Sequence, residues 1–145
     1  MPFKYHGEVF YYQIRFSGKT KIRYLFPQIS AKPPYVIDHG QGLRKIIVVE
    51  GVYDAIAALI MAPDYIPFAV LGSSISDYQL DFLSEYVPEK ILCYLDDTEK
   101  SMSVAKKIRK RIDYCPINII KSNGEDPEEC MKRKLRAGNN LQWIK

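Results

Sequence analysis

The sequence is poor in the features of membrane, secreted and zinc-binding proteins. Its 145 residues include three cysteines, Cys93, Cys115 and Cys130, and no two of them form a C-x-x-C pair. This spacing argues against a structural zinc site and favours free, buried thiols in a reducing compartment. No stretch approaches the roughly 20 apolar residues of a membrane span, and the N-terminal MPFKYHGE has no apolar signal region. We therefore expect a cytoplasmic protein without a membrane partner.

Glycine-rich phosphate-binding motifs are missing as well. The sequence contains neither G-x-x-x-x-G-K-[ST] nor G-x-G-x-x-G, so it gives no support for nucleotide binding through a glycine loop. The net charge of +4 is mild, and it permits a nucleic-acid partner without requiring one. Hydrophobic residues make up 47% of the chain, which is sufficient for a buried core.

The first 42 residues differ in pattern from the rest of the chain. Residues 9–16 and 21–26 are rich in aromatic and β-branched side chains, and a Ser-Gly-Lys turn signal separates them. This pattern predicts an antiparallel β-hairpin. Residues 30–42 carry two prolines and two glycines and are typical of a connector. We predict a hairpin and connector over residues 1–42 and a separate domain over residues 43–145.

In the second part of the chain, short apolar runs alternate with helical patterns. The runs at 45–50, 68–71, 91–95 and 117–120 predict strands, and the helices are predicted over 53–61, 77–86, 99–112 and 127–137. An S-x-x-Q capping box begins the second helix at Ser76. Strands separated by helices form parallel sheets with right-handed crossovers. We therefore predict an α/β fold whose mainly parallel, four-stranded sheet is flanked by helices.

Acidic residues collect where the predicted strands end. They are Glu50 and Asp54 around the first strand end, Asp96, Asp97 and Glu99 after the third, and Asp126, Glu128 and Glu129 after the fourth. Binding sites in open parallel sheets form at the carboxyl ends of the strands. Carboxylate oxygens suit Mg²⁺ or Mn²⁺, which also bind substrate phosphate. Each acid taken alone has a second interpretation, because acids also stabilise the first turn of a helix.

Four segments carry short motifs in a fixed order. They are IIVVEGVYDAIAAL (46–59), AVLGSSISDYQLDFL (69–83), ILCYLDDTEKS (91–101) and NGEDPEE (123–129). In order and spacing they resemble the E-G-x-x-D, glycine-bearing strand and helix, D-x-D-x-x-G and G-x-D-P-D-E segments of the Toprim domain of DnaG-type and phage primases. RYLFP (23–27) and AKPPY (31–35) resemble the basic hairpin region before that domain. The resemblance covers roughly residues 45–137 and implies a Rossmann-like Toprim fold.

This resemblance implies a metal-dependent nucleotidyltransferase that makes RNA primers in DNA replication. The implied Mg²⁺ or Mn²⁺ ligands are Glu50, Asp54, Asp96, Asp126 and Glu128, and Glu50 and Asp96 are also the implied catalytic residues. Such ions orient a nucleoside triphosphate and stabilise both reacting oxygens. The implied partners are a single-stranded DNA template, nucleotides, and a helicase or other replication protein that supplies missing domains.

Basic residues in two places are candidates for nucleic-acid or nucleotide binding. Arg15, Arg23 and Lys32 belong to the hairpin region that resembles the one in primases, and Lys106 and Lys110 belong to the third predicted helix. Clusters of this kind bind phosphates. The alternative is that they form a solvated surface.

The sequence departs from the family pattern at two positions. Thr98 stands where D-x-D has its second Asp, and Ser101 stands where the pattern has Gly. Because threonine offers a metal only a neutral hydroxyl, Asp97 or Glu99 is the alternative donor. Three functions stay open: primer synthesis, nuclease or topoisomerase-like strand cleavage, and non-catalytic nucleic-acid binding. The chain is compatible with a fragment of a larger primase, a stand-alone protein or one subunit of a split enzyme.

Overall fold

The structure is a computed structural model that describes residues 2–5, 8–15, 24–27, 31–38, 40, 42–121 and 124–137. The chain divides into two compact units, Met1–Pro33 and Pro34–Lys145. The smaller unit is built from short antiparallel strands, and the larger one contains a mixed sheet with helices.

Two antiparallel strand pairs form the smaller unit. Strand β1 (Pro2–Tyr5) pairs with β2 (Glu8–Tyr12), and β3 (Ile14–Arg15) pairs with β4 (Tyr24–Leu25). The second pair lies within the predicted hairpin and confirms it. The pairing of β1 with β2 was not predicted from the sequence. The predicted turn at residues 17–19 lies outside the described residues.

An aromatic cluster holds the smaller unit together. The rings of Phe3 and Tyr11 are buried, with centroids 5.2 Å apart, and Phe26 lies 6.1 Å from Tyr11 in a stacked arrangement. The Lys32 Nζ lies 4.3 Å from the centroid of the Phe26 ring. Such cation–π contacts are worth about 0.5–1 kcal/mol at exposed sites. Burial also lowers the pKa of Lys32.

The larger unit alternates strands and helices from residue 45 onwards. Its elements are β5 (Tyr35–Val36), β6 (Lys45–Val49), α1 (Val52–Met61), β7 (Ile66–Ala69), α2 (Asp77–Glu85), β8 (Lys90–Tyr94), α3 (Thr98–Arg111), β9 (Ile117–Ile119) and α4 (Pro127–Arg136). Each predicted strand and helix between residues 45 and 137 has its counterpart, with boundaries that agree within about two residues. The predicted fold class is confirmed.

The sheet has one strand more than predicted. Its order is β5-β7-β6-β8-β9; strands β6 to β9 are parallel, and β5 is antiparallel to β7 at the edge. Strand β5 has only two residues and follows Pro33 and Pro34. Proline is tolerated at the start of an edge strand because no ladder hydrogen bond is lost there. A strand this short has no sequence pattern of its own, which is why residues 30–42 resembled a connector.

The apolar runs of the sequence become the centre of this sheet. Residues 46–49 of β6 are fully buried, as expected for a strand with helices on both faces. Helices α2 and α3 contribute Leu80, Leu83, Ala105 and Ile108 to one core cluster with β6, β7 and β8. Helices α1 and α4 pack against each other through Ala57, Met61 and Cys130.

The start of α2 has the predicted capping box. The Ser76 Oγ accepts a hydrogen bond from the Gln79 N–H at 3.2 Å, and the Gln79 Oε1 accepts one from the Ser76 N–H at 3.1 Å. The Gln79 side chain also donates to the carbonyl of Val70 at 2.8 Å. The cap therefore fixes the helix start and the end of β7 together.

The cysteines are free, as predicted. Cys93 and Cys130 are buried and Cys115 is half-buried. Burial raises the pKa of Cys93 to about 12, so this thiol stays protonated and unreactive. No helix among the described residues has the length and apolar character to cross a bilayer.

Candidate metal centre

The strand order places a crevice between β6 and β8. The connection from β6 through α1 leads to β7 on one side, whereas the connection from β8 through α3 leads to β9 on the other. Neighbouring parallel strands whose connections diverge leave a crevice at their carboxyl ends, and open α/β sheets bind ligands there. Glu50 directly follows β6, and Asp96 follows β8 after one residue. Two of the predicted site residues therefore flank this crevice.

Glu50 and Asp96 share a cation. The Lys100 Nζ lies 3.2 Å from the Glu50 Oε2, 4.0 Å from the Asp96 Oδ2 and 3.9 Å from the Asp97 Oδ2. The crevice thus gathers three acids around one ammonium group.

Asp54 is the most buried acid at this edge, with 7% of its surface exposed. Its Oδ2 accepts a hydrogen bond from the Gly51 N–H at 2.8 Å, and the Glu128 N–H is close enough to oppose the rise in the pKa of Asp54. The Asp54 carboxylate therefore lies near the start of α1 and the start of α4. Gly51 has a φ of −122°, which any residue adopts; a Cβ at this position would lie 3.1 Å from the Asp54 Oδ2. Close approach of the carboxylate, and not backbone freedom, favours glycine here.

Burial and neighbouring acids raise the pKa of two carboxyl groups at this edge. Burial, Asp126 and Asp96 raise the pKa of Asp54 to about 7, against the lowering effect of the Gly51 and Glu128 N–H groups. Burial and Glu50 raise the pKa of Asp96 to about 6, and Lys100 opposes the rise. Like charges that are gathered in a partly buried site disfavour each other's ionised form. The causes of these two shifts place Glu50, Asp54, Asp96 and Asp126 within one electrostatic cluster.

Two acids of this edge also act as helix caps. The Asp97 Oδ1 accepts from the Lys100 N–H at 2.7 Å and caps α3, and the Asp126 Oδ1 accepts from the Glu129 N–H at 2.7 Å and caps α4. Each cap uses one oxygen and fixes the direction of the carboxylate. A helix-capping role and a ligand-binding role of these acids are therefore compatible.

Buried hydroxyl groups hold the loops that carry the acids. The Ser101 Oγ, fully buried, accepts from the Leu95 N–H at 2.9 Å and fixes the loop between β8 and α3. The Tyr94 hydroxyl donates to the Glu125 carbonyl at 3.0 Å, one residue before Asp126. Burial raises the pKa of Tyr94, so its proton stays in this bond.

A strained residue supports the end of β6. Leu71 has a φ of 60°, and its N–H donates to the Glu50 carbonyl at 2.8 Å. A non-glycine residue in the left-handed region costs roughly 1–2 kcal/mol and is often found at functional sites. The strain is compensated by a hydrogen bond that fixes the backbone of Glu50.

The carboxylates of the cluster are suitable ligands for a divalent cation, but in the described part of the chain they are not arranged around a metal position. Carboxylate oxygens are the ligands that Mg²⁺ and Mn²⁺ prefer, and burial together with neighbouring acids raises the pKa of Asp54 and Asp96. Among the residues that the structure describes, however, no three acidic, histidine or cysteine side chains are positioned to hold a metal ion. The charge that faces Glu50 and Asp96 is the Lys100 ammonium.

The remaining acids lie around this cluster. Glu128 belongs to the first turn of α4, where its side chain pairs with Lys132. Glu99 is exposed and Thr98, the first residue of α3, is half-buried. The five predicted metal ligands thus come to the carboxyl edge, with Glu128 engaged by its own helix.

The basic residues of α3 divide into two groups. Lys107 donates to the Ile75 carbonyl, Arg109 donates to the Ile117 carbonyl, and Arg111 pairs with Asp81. The two predicted contact residues, Lys106 and Lys110, are exposed and one helical turn apart. Of the hairpin candidates, Lys32 lies against Phe26, whereas Arg23 and the side chain of Arg15 lie outside the described part of the chain.

Sequence reasoning missed Lys100 and Ser101. The signal for Lys100 was present, because a basic residue in the first turn of a helix opposes the helix dipole unless local acids compensate it, and Asp96 and Asp97 lie four and three residues before it. Ser101 carried no such signal, since its hydroxyl bonds to a backbone group that only the fold brings near.

Comparison with known proteins gives a family and a set of structural neighbours. A family model described as Toprim-like matches residues 47–131, more than half of the chain. No curated protein matches the chain.

Three crystal structures share the fold at low sequence identity. The zinc-binding and RNA polymerase domains of the Aquifex aeolicus primase match with a TM-score of 0.65 and 19% identity, over 94% of this chain and 38% of that one. The RNA polymerase domain of Mycobacterium tuberculosis primase DnaG matches with a TM-score of 0.64 and 17% identity, over 94% of this chain and 50% of that one. The primase fragment of the bacteriophage T7 primase-helicase protein matches with a TM-score of 0.63 and 16% identity, over 94% of this chain and 58% of that one.

The chain therefore spans 38% to 58% of the length of these primase structures. The predicted E-G-x-x-D segment, the D-x-D-like segment and the D-P-E-E segment contribute to the matched region, and their acids meet at one edge of the sheet. The chain belongs to the Toprim-like family.

Proposed function

We propose that this chain is a primase-type Toprim module that binds Mg²⁺ or Mn²⁺ and supports nucleotidyl transfer in RNA primer synthesis. The observation that carries the proposal is the convergence of Glu50, Asp54, Asp96 and Asp126 at the crevice between β6 and β8. The fold likeness to three primase fragments supports the same reaction class. The module's template is single-stranded DNA, and a helicase or other replication protein supplies further domains.

Each acid has a distinct part in this proposal. Glu50 and Asp96 flank the crevice and share the Lys100 ammonium, and this pair is the proposed primary cation site and catalytic pair. Asp126 is fixed by its cap bond, and the buried Asp54 is held by the Gly51 N–H at the start of α1. Glu128 becomes a ligand if it exchanges its pairing with Lys132. When bound, a divalent cation supplies charge stabilisation for the triphosphate and activates the attacking hydroxyl.

Lys106 and Lys110 are the proposed phosphate contacts. They lie about 9 Å and about 15 Å along α3 from Lys100, at roughly 1.5 Å per residue. They share one exposed face of α3, so a nucleic-acid strand that runs along this face would contact both. The hairpin residues Arg15, Arg23 and Lys32 remain predicted contacts on the basis of their sequence.

The first test combines metal binding with product analysis. Calorimetric titration of the 145-residue chain with Mn²⁺ should show binding that Asp96→Asn weakens at least about tenfold, because it removes a charged donor. The matched control is Asp64→Asn, which changes an exposed aspartate between α1 and β7, at the opposite edge of the sheet. Equal Mn²⁺ affinity in wild type and Asp96→Asn would remove Asp96 from the ligand set.

The same samples separate the three candidate reactions. With labelled single-stranded DNA, nucleoside triphosphates and Mn²⁺, primer synthesis gives new RNA products, whereas nuclease activity shortens the labelled strand. Binding of DNA with neither product would contradict nucleotidyl transfer by this chain and favour the non-catalytic module. Loss of any product in Asp96→Asn, with retention in Asp64→Asn, assigns the reaction to the crevice.

A further inference from the structure

Lys100 occupies an unusual position for a basic residue. It lies in the first turn of α3, where the helix dipole disfavours a cation, whereas the other basic side chains of the helix follow later and end in the favoured last turn. Its ammonium group nevertheless lies 3.2 Å from the Glu50 Oε2, across 50 positions of sequence. The acids of the crevice compensate the helix dipole at this position.

The contacts of Lys100 coincide with the proposed cation site. The ammonium is 4.0 Å from the Asp96 Oδ2 and 3.9 Å from the Asp97 Oδ2, and the lysine side chain is 33% exposed. It is thus partly covered by acids, with its flexible four-carbon stem attached at the rim of the crevice. Lysine is a compact point charge whose donors can rotate away.

We propose that the Lys100 ammonium is a built-in cation that competes with Mg²⁺ or Mn²⁺ for Glu50 and Asp96, and so sets the metal concentration at which the crevice is occupied. The proposal builds on the metal binding of the proposed function. The tethered ammonium keeps Glu50, Asp96 and Asp97 together when metal is scarce. A divalent ion carries twice its charge and displaces it, but only after the ammonium has moved away from both carboxylates.

This competition should change the affinity for Mn²⁺ by a measurable factor. Ion pairs that are partly exposed are worth up to about 1 kcal/mol, which corresponds to about a fivefold change in affinity. Because Lys100 faces three acids, its removal should tighten Mn²⁺ binding about five- to tenfold. The variant Lys100→Met removes the charge and keeps an unbranched apolar stem. Lys100→Arg keeps the charge and should bind Mn²⁺ close to the wild-type affinity.

A matched control separates local competition from general electrostatics. Lys121 is an exposed lysine just beyond β9, at the same edge of the sheet. Calorimetric Mn²⁺ titrations at one fixed salt concentration should show tighter binding in Lys100→Met and unchanged binding in Lys121→Met. An equal gain in both variants would overturn the proposal, as would unchanged or weaker binding in Lys100→Met. Those results leave the proposed function intact, whereas no Mn²⁺ binding in any variant overturns both.

A second measurement uses the wild-type chain and needs no variant. If Mn²⁺ displaces the ammonium from the acids, the Lys100 amine becomes more reactive towards a small acylating reagent. Mass spectrometry of the digested protein should show faster acylation of Lys100 as Mn²⁺ is added, with Lys121 as the internal reference. Unchanged Lys100 reactivity at Mn²⁺ concentrations that saturate the calorimetric signal would overturn the proposal.

Discussion

Two surfaces of the larger unit each gather like charges, and they differ in almost every physical respect. The acidic edge takes its carboxylates, Glu50, Asp54, Asp96 and Asp126, from three separate strand ends, and burial together with neighbouring acids raises the pKa of Asp54 and Asp96. The outer surface of α3 takes Lys106 and Lys110 from a single helix, and both are exposed. The first arrangement is coupled through burial, and the second is a pair of exposed charges that solvent and salt screen.

The difference predicts how each surface responds to mutation. Groups that share a partly buried environment show non-additive effects, whereas exposed groups that share no partner act close to additively. A change at the acidic edge should therefore alter stability, metal binding and neighbouring acids together. A change on α3 should alter only the binding of a charged partner, and salt should reduce the effect.

The largest expected effect is on stability, at Asp54. Its pKa is about 7 in the folded chain against an ordinary value of 3.8, so between those pH values the folded protein holds a proton that the unfolded chain has lost. The free energy of unfolding of the metal-free protein therefore falls as pH rises from about 4 to 7. At 1.36 kcal/mol per pKa unit the upper limit is about 4 kcal/mol, and we expect about 2 kcal/mol because the neighbouring acids share the titration.

Asp54→Asn tests this directly. The asparagine oxygen can still accept from the Gly51 N–H, and the side chain carries no charge, so the metal-free variant should be about 2 kcal/mol more stable at pH 8 and its stability should depend less on pH. Urea unfolding in the presence of a chelator at pH 4 to 8 measures both quantities. Asp64→Asn is the control and should retain the wild-type profile. If the variant is instead destabilised at pH 8, that result would contradict the raised pKa of Asp54 in the folded protein.

The second effect concerns Lys106 and Lys110. If both contact phosphates, each alanine variant should weaken single-stranded DNA binding about two- to fourfold and reduce the magnitude of the salt slope by about 0.7, and the double variant should give the sum. Fluorescence anisotropy at several salt concentrations measures both quantities. Lys45→Ala, which changes a lysine at the amino end of β6, should leave both unchanged. An unchanged slope in the double variant would make this pair a solvated surface.

Much of the acidic edge could be predicted because parallel strands bring their carboxyl ends together wherever they occur in the chain. Strands β6 and β8 could be predicted from their continuous apolar sequences, and the capping box at Ser76 predicted the start of α2. Strand β5 could not be predicted, because two residues are too few to show a periodic pattern and their pairing depends on the backbone of β7. The predicted roles of the acids and of the hairpin residues stay predictions.

Long-range electrostatics was the part that sequence could not supply. The contact of Lys100 with Glu50 joins groups 50 positions apart, and no local pattern records such a pair. The burial of Asp54 behind the N–H groups of Gly51 and Glu128 likewise depends on how α1 packs against α4. The sequence predicted that the acids gather at one edge, whereas their coupling to one another and to a lysine required the fold.

The smallest expected effect is at Thr98, where the chain departs from the D-x-D pattern. Thr98 is the first residue of α3, half-buried and between the cap residue Asp97 and the exposed Glu99. Thr98→Asp adds a carboxylate that favours a divalent ion and the start of the helix, but it also adds repulsion to acids whose pKa is already raised. These effects oppose each other, so we expect Mn²⁺ binding to tighten only about two- to threefold.

The neutral variant Thr98→Asn has nearly the same shape as Thr98→Asp and separates charge from size. Calorimetry should show a gain in Mn²⁺ affinity for the aspartate alone. In the Lys100→Met background the gain should be larger, because the new carboxylate no longer has an ammonium group as a competing partner. If Thr98→Asp increases Mn²⁺ affinity equally with and without Lys100, then position 98 does not interact with the acids that Lys100 contacts. A loss of affinity in both backgrounds would mean that Asp97 already supplies the missing donor, and that the departure from the pattern is compensated by its neighbour.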